Sequence, residues 1–507
     1  MTPGGPRGLR AQLEEAGRSR VSRPGQGFPE GAEPGCGRPA RKWRLRLPHA
    51  LSSSPRQSAM CEAVLLDLLH GCCRPAGPGG SVLPEEAAAN PASAPQLFLL
   101  RGKHRGEDAS LTRAPPGSCG REPHELTGGS TAECLFRFKR SLDDLDLTSV
   151  RVLTSPRGRA VLRAYQRLLF TAAYTFDYRL TTEHCLTCPS LAGPAHPDSP
   201  GAGVHEEEEG GEEEEEDVSS FLQQLPAVRG EMTTLQSPLI PDCFGHGFST
   251  RTGGVSYLPT LSSLNLFCSS RRRDPGAVVL ENRRRLAVHA GFHPRPLLMV
   301  KVDHGRDVWV VGKAEPPSYD AVVTNQTGLV LAAPGADCMP ILFADPGSKV
   351  IGAAHAGYKG TLMGVAMATV EAMVREFGCQ VSDIVVAVGP SVGACCFTLE
   401  KNQALLFQSI HPDCVPDPES TRPHVNIRLA NRVLLQNGGV RPENIHDDSV
   451  TERPCVTPCT SCHPEAFFSH VRDGPNFGTQ VGFLWIREPG GPSDRKPQVE
   501  TPETDHM

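Results

Sequence analysis

Between residues 240 and 487 the chain is cut into short apolar runs, each too short for a helix and each closed by a glycine turn. Residues 329–333, 340–344, 350–354 and 384–388 are such runs, apolar throughout rather than alternating. That is how a strand reads when both its faces are buried. Between two of them, 361–377 places Leu362, Val365, Ala366, Thr369, Ala372 and Met373 on one helical face, and Gly378 follows as a stop. Short buried strands alternating with helices predict an α/β fold, with this stretch as the chemical domain.

The remainder is less even. The 507 residues allow two or three domains, yet apolar content is 38% with 51 Gly and 47 Pro. The deficit sits in 1–59, around 74–130 and in 189–217. Residues 1–59 carry 11 Lys/Arg against 4 Asp/Glu amid Pro and Gly, which predicts a disordered basic extension, with Met60 as an alternative start. Residues 60–188 read as a smaller N-terminal α/β region, with strands at 150–153 and 175–180 and a helix at 157–170 bearing Val161, Leu162, Tyr165, Leu168 and Leu169. Residues 189–217 read as a Pro/Gly and acidic linker whose ten acidic residues within 206–217 stay extended or form an exposed helix start. A short amphipathic helix is expected at 218–225, the catalytic domain within 218–488, and a disordered tail at 489–507.

Net charge is −6, but without the acidic run the rest of the chain is net positive, so the balance identifies no partner. No run of 18 apolar residues is present, and no secretory leader is read at the N-terminus. Eighteen cysteines without an export signal point to reduced thiols. The expectation is a cytoplasmic protein, extending to the nucleus or an organelle surface, not secreted and with no nucleic-acid partner. Protein partners would use the N-terminal region and the acidic linker.

Chemistry concentrates in two of the turns. Gly335-Ala336-Asp337-Cys338 puts a thiol after one strand, and His355-Ala356-Gly357-Tyr358-Lys359-Gly360 puts an imidazole at the end of another. His304, in Val302-Asp303-His304-Gly305, is a third donor. One Cys and two His from separate loops can bind zinc and leave its fourth position open. Gly357 and Gly360 permit close backbone approach, and Lys359 with the helix start makes an anion site. Three more loops are expected at the same cleft: Ser249–Ser256 with Arg251 and Ser256, the loop 389–397, and 467–474 with Arg472 beside Asp473.

These loops resemble a known family. His-Ala-Gly-aromatic-Lys-Gly, Gly-Ala-Asp-Cys-x-Pro, Thr-Arg-x-Gly-Gly-x-Ser, Gly-Pro-Ser-Val-Gly-x-Cys-Cys-Phe and Phe-Phe-Ser-x-x-Arg-Asp-Gly occur here in the order found in the laccase-domain family. That family is also called multicopper polyphenol oxidoreductase, and its members are regarded as purine nucleoside phosphorylases. The resemblance implies a multilayer, mixed-sheet α/β catalytic domain with Zn(2+) held by His304, Cys338 and His355. It implies phosphorolysis of adenosine, inosine, guanosine and 5′-methylthioadenosine with inorganic phosphate as co-substrate, and deamination of adenosine. Arg251, Lys359, Arg472, Ser256 and Asn265 are inferred as phosphate or ribose contacts, Asp337 and Asp473 as acid/base candidates, and Tyr358 as the ring that stacks on the base. Tyr358 stands where the family usually has Trp, and Asp303-His304 where related vertebrate chains have His-His.

Rival readings follow from the same residues. Cys338 with His355 as base would make a thiol hydrolase. A catalytically idle scaffold is a second. A copper laccase is disfavoured, because the chain contains no His-x-His pair. Cys459-Thr-Ser-Cys462-His463 matches the c-type haem pattern but reads better as a turn or as reduced thiols near the site; a structural zinc shared with Cys185 and Cys188 is a weaker option.

Overall fold

The computed structural model describes residues 63–70, 95–101, 123–180 and 211–488. Expectations for 1–59, for Cys185 and Cys188, for 189–210 and for 489–507 lie outside them. No helix among the described residues is long and apolar enough to cross a membrane.

The N-terminal region is built on a parallel sheet. Its strands are β1 (Ala63–Asp67), β2 (Gln96–Leu100), β3 (His124–Leu126), β4 (Ser149–Thr154) and β5 (Thr175–Leu180), in the order β3-β2-β1-β4-β5. Helices Thr131–Asp144 and Pro156–Leu169 are capped at their starts by the Ser130 and Ser155 hydroxyls. They bury Phe136, Phe138, Leu162 and Tyr165 in a core with Phe98 and Val152. The helix expected at 218–225 is longer, Glu212–Gln224. It takes the end of the acidic stretch with it, so 212–217 are helix rather than linker. Four glutamates in its first turn favour the positive end of the helix dipole. Val218 and Leu222 enter the N-terminal core, and Asp217 accepts hydrogen bonds from the Ala132 N–H and the Tyr165 hydroxyl.

The C-terminal region stacks two further sheets. Its strands are β6 (Thr234–Leu235), β7 (Phe244–Ser249), β8 (Leu297–Met299), β9 (Val308–Val310), β10 (Ala321–Thr324), β11 (Val330–Gly335), β12 (Met339–Asp345), β13 (Val350–Ala356), β14 (Val385–Val388), β15 (Ile445–His446) and β16 (Gln480–Ile486). One sheet runs β15-β14-β12-β13-β10-β9 and the other β6-β7-β16-β11-β8, both mixing parallel and antiparallel pairs. The four sequence-predicted strands are present within two residues of the expected ends.

Strand alternation then builds the layers. Leu342, Ala344, Ile351 and Ala353 face Leu331, Ala333 and Leu484 of the other sheet. Ile341, Phe343 and Ala354 face away, into a layer with Val370, Met373, Ala430 and Leu435 from helices Val365–Phe377 and Ile427–Asn437. Ala332, Phe483 and Trp485 cover the outer side of the second sheet beneath helix Gly276–Ala290. The result is helix, sheet, sheet, helix. The helix expected over 361–377 is two helices, Tyr358–Met363 and Val365–Phe377, parted by Gly364 at φ 80°, a left-handed conformation that glycine adopts without steric cost.

Candidate metal centre

His355 is the penultimate residue of β13, on the face that Ile351 and Ala353 turn toward the second sheet. Pro340 of β12 is its register partner, so Cys338, just ahead of β12, reaches the same sheet edge. His304 arrives on a loop whose register is set by Asp320, one residue ahead of β10. The Asp320 carboxylate accepts hydrogen bonds from the backbone N–H groups of Asp303 (3.1 Å), His304 (3.1 Å) and Gly305 (2.7 Å). That grip holds His304 at φ 59°, a left-handed backbone uncommon for a residue with a side chain. Asp337, beside Cys338, is likewise left-handed at φ 97°. Its carboxylate accepts from the Thr460 and Ser469 hydroxyls (2.6 and 2.7 Å) and the Val471 N–H (2.6 Å).

The three predicted donors converge. One ligand atom each from His304, Cys338 and His355 lies within 4.8 Å of the others. The imidazoles meet edge to face, centroids 5.0 Å apart at 85°. Asp320 Oδ1 sits 2.8 Å from His355 Nδ1, which keeps the proton on that nitrogen and leaves Nε2 as the donor. This is the carboxylate–histidine pairing that metal sites use to fix a tautomer. Gly357 makes room: a Cβ there would lie 2.9 Å from Cys338 Sγ and 3.3 Å from His304 Cδ2. At Gly360 a Cβ would lie 3.0 Å from the Gly305 carbonyl, so both glycines are close-approach positions as expected.

The electrostatics favour a thiolate. Burial alone would raise the Cys338 thiol, but the two histidines outweigh it and bring it down to about 6. Burial alone would lower His355, but Cys338 and Asp320 carry it up to about 9. Burial likewise opposes ionisation of Asp320, while His355 and the loop N–H groups hold its carboxyl below the usual range. Without metal the pair is thiolate and imidazolium; once the His355 Nε2 proton is displaced, a thiolate and two imidazoles, one braced from behind, are a donor set that zinc accepts while leaving one position for substrate or water.

The other predicted site residues have different employment. Arg251 is buried, and its guanidinium donates to the carbonyls of Ser262 (2.8 Å), Pro464 (2.8 Å) and Pro259 (2.9 Å) while lying over the Phe468 ring. Arg472 donates to the Thr460 and Phe467 carbonyls and pairs with Asp473 through both carboxylate oxygens. The two arginines knit loops, and Asp337 and Asp473 have their oxygens engaged. Ser256 and Asn265 belong to a buried network around Asp274, completed by Asn282. Lys359 is exposed, its Nζ 5.9 Å from the Tyr358 ring, and Tyr358 stands 6.5 Å from the Phe397 ring. Of the three predicted cations, Lys359 alone has no acceptor among the described residues. Sequence reasoning missed Asp320. Its signal is faint: an acid directly before a buried β-strand, in Tyr319-Asp320-Ala321, where a charge needs a fixed partner.

Residues 245–487 match the family model described as multi-copper polyphenol oxidoreductase laccase. The mouse purine nucleoside phosphorylase LACC1 is 50% identical over 361 residues, which are 70% of this chain and 80% of that one. The chain belongs to this laccase-like family. Purine nucleoside phosphorylase YlmD from Geobacillus stearothermophilus is 33% identical over 261 residues, 48% of this chain and 90% of its own. Adenosine deaminase RL5, from an unknown prokaryotic organism, is 31% identical over 246 residues, 46% of this chain and 90% of its own.

Proposed function

We propose that this laccase-like chain is a zinc-dependent purine nucleoside phosphorylase. Its substrates would be adenosine, inosine, guanosine and 5′-methylthioadenosine, cleaved by phosphate to the free base and ribose-1-phosphate or 5-methylthioribose-1-phosphate. It would also deaminate adenosine to inosine. The observation that carries the reading is the convergence of His304, Cys338 and His355, with Asp320 holding the far side of His355. The names of the mouse, Geobacillus and RL5 relatives supply the substrate class.

Zinc, when bound, supplies Lewis acidity at neutral pH. The chain supplies position. His355 is kept in one tautomer by Asp320, Cys338 is ionised by its neighbours, and His304 is fixed by its loop. Phosphorolysis places an anion beside a sugar carbon that turns cationic in the transition state, so a positive group must hold that anion. Lys359 is the cation left for this work. Tyr358, adjacent in sequence and braced toward Phe397, offers the flat face for a purine. The carboxylates of Asp337 and Asp473 are engaged in the fold and are not assigned as the general acid.

Purified protein is incubated with adenosine, with and without phosphate, and products are separated by chromatography. Adenine with ribose-1-phosphate establishes the phosphorylase, and inosine formed without phosphate establishes the deaminase. No turnover of any purine nucleoside by zinc-loaded protein would overturn the reading and leave a scaffold. The thiol-hydrolase alternative is separated by chelation: it keeps activity when zinc is stripped and loses it on alkylation. Cys338→Arg, which removes a donor and brings a cation to the centre, is expected to lose both zinc and turnover.

A further inference from the structure

A second cluster of donors lies outside the His304–Cys338–His355 centre. Cys395 and Cys396 follow β14 on the loop 389–397, and Cys459 and Cys462 stand on the loop before Phe467. Their four sulfurs all lie within 4.8 Å of one another. Cys462 Sγ is 3.6 Å from Cys395 Sγ and 3.4 Å from Cys396 Sγ. We propose that Cys395, Cys396, Cys459 and Cys462 form a structural zinc site, a four-thiolate clamp joining these two loops.

The spacing selects the occupant. A disulfide brings two sulfurs to about 2.05 Å and leaves the others unpaired. A zinc about 2.3 Å from each of four sulfurs sets them roughly 3.8 Å apart, close to the two contacts above. An iron–sulfur cluster interposes further iron and inorganic sulfide and holds its cysteines wider. Four thiolates select zinc over harder cations.

The surroundings are built to match. The Gly393 N–H donates to Cys459 Sγ at 3.3 Å, the kind of contact that relieves charge on a metal-bound thiolate. Gly393 packs closely against the cluster: a Cβ there would lie 3.2 Å from Cys395 Sγ and 3.6 Å from Cys459 Sγ, a fit that a small shift of the Cys395 side chain would relieve. Ser391 and Cys459 form a parallel bridge, and the Thr460 N–H donates to the Ser391 carbonyl at 3.0 Å. Cys459 and Cys462 therefore find their partners in Cys395 and Cys396. His463, the residue a haem would need, has its Nδ1 2.8 Å from the Cys459 carbonyl.

The clamp reaches the other centre through one residue. The Thr460 hydroxyl donates to Asp337 Oδ1, the Val392 N–H donates to the Asp337 carbonyl at 3.0 Å, and Asp337 immediately precedes Cys338. Both clamped loops thus hold the turn that presents Cys338. Loss of the clamp ion should loosen this turn and weaken the first centre as a consequence.

The proposal stands apart from the nucleoside reading, and its test separates the two. Full-length protein is purified under reducing conditions with zinc, and metal content is measured by mass spectrometry for the wild type, Cys459→Ser/Cys462→Ser and Cys338→Ser. With zinc in excess, which keeps the weakened first centre filled, the double variant should lose about one zinc per chain. Cys338→Ser should lose a different one and retain an ion whose X-ray absorption shows sulfur neighbours only, at about 2.3 Å. If the double variant does not fold, the wild type answers alone: Cys395 and Cys462, both exposed, should resist alkylation until a chelator is added. Unchanged zinc in a folded double variant, a disulfide within the cluster of the reduced protein, iron in place of zinc, or alkylation indifferent to chelator would each overturn the proposal.

Discussion

Asp320 Oδ1 lies 2.8 Å from His355 Nδ1, and the same carboxylate takes the N–H groups of Asp303, His304 and Gly305. One side chain therefore orients one imidazole and fixes the loop of the other. Asp320 touches no atom that would face the proposed metal, so it is a positioning residue. Asp320→Asn should weaken zinc binding about 10- to 100-fold, read by competition with a chromogenic chelator. Excess zinc should restore most of the turnover, because the three donors remain. Wild-type zinc affinity in this variant would show that the carboxylate serves the loop alone.

Gly357 tests the same centre without replacing a proposed ligand. Its backbone, at φ −79° and ψ 179°, suits any residue, so Gly357→Ala brings no backbone strain. The added methyl meets Cys338 Sγ at 2.9 Å and His304 Cδ2 at 3.3 Å. Zinc content and turnover should fall together while the melting temperature in chelator stays near that of the wild type. Full zinc occupancy in Gly357→Ala would mean that the donors sit farther apart in solution.

The three converging donors were legible in the sequence because Cys338 and His355 stand at strand ends within three residues of a glycine and His304 stands in a loop beside Gly305, where core packing does not ask for Cys or His. The strands were legible because burial on both faces leaves no polar position to confuse the period. The arginines were not. Arg251 beside Gly253-Gly254 and Arg472 beside Asp473-Gly474 look from sequence like anion hooks, yet their donors satisfy carbonyls 5 to 213 residues away. Sequence shows which residue is charged but not which distant carbonyl needs a donor. Asp320 escaped notice for the converse reason: its partners are backbone groups and a histidine 35 residues on. The helix break at Gly364 was hidden because apolar spacing runs straight through it.

Arg251 and Asp337 should therefore behave as structural residues. Arg251→Met removes a buried guanidinium from three carbonyls and should cost on the order of 3 kcal/mol of stability, measured by denaturant unfolding. Below its melting range the variant should keep the wild-type KM for phosphate. A large rise in that KM with unchanged stability would return Arg251 to the phosphate site. Asp337→Asn should likewise lower stability and zinc affinity. If it abolished kcat with zinc and stability intact, the general-acid role would be restored.

His246 supplies a pH dependence separate from both cysteine centres. It is buried on β7, and its Nε2 accepts the Ser237 N–H at 2.9 Å, so the ring is folded in as the neutral form. Burial, helped by the Arg487 charge nearby, lowers it from 6.5 to about 4. The unfolded chain therefore binds the extra proton first as pH falls. The contribution to stability is complete above pH 6.5 and is lost progressively between 6.5 and 4. Between pH 7 and pH 5 this amounts to about 2 kcal/mol, at 1.36 kcal/mol per pH unit. Denaturant midpoints at the two pH values should show the wild type losing that much more stability than His246→Gln, whose amide oxygen can still accept from Ser237 but cannot titrate. Parallel losses in the two proteins would mean that the imidazole takes up its proton within the fold.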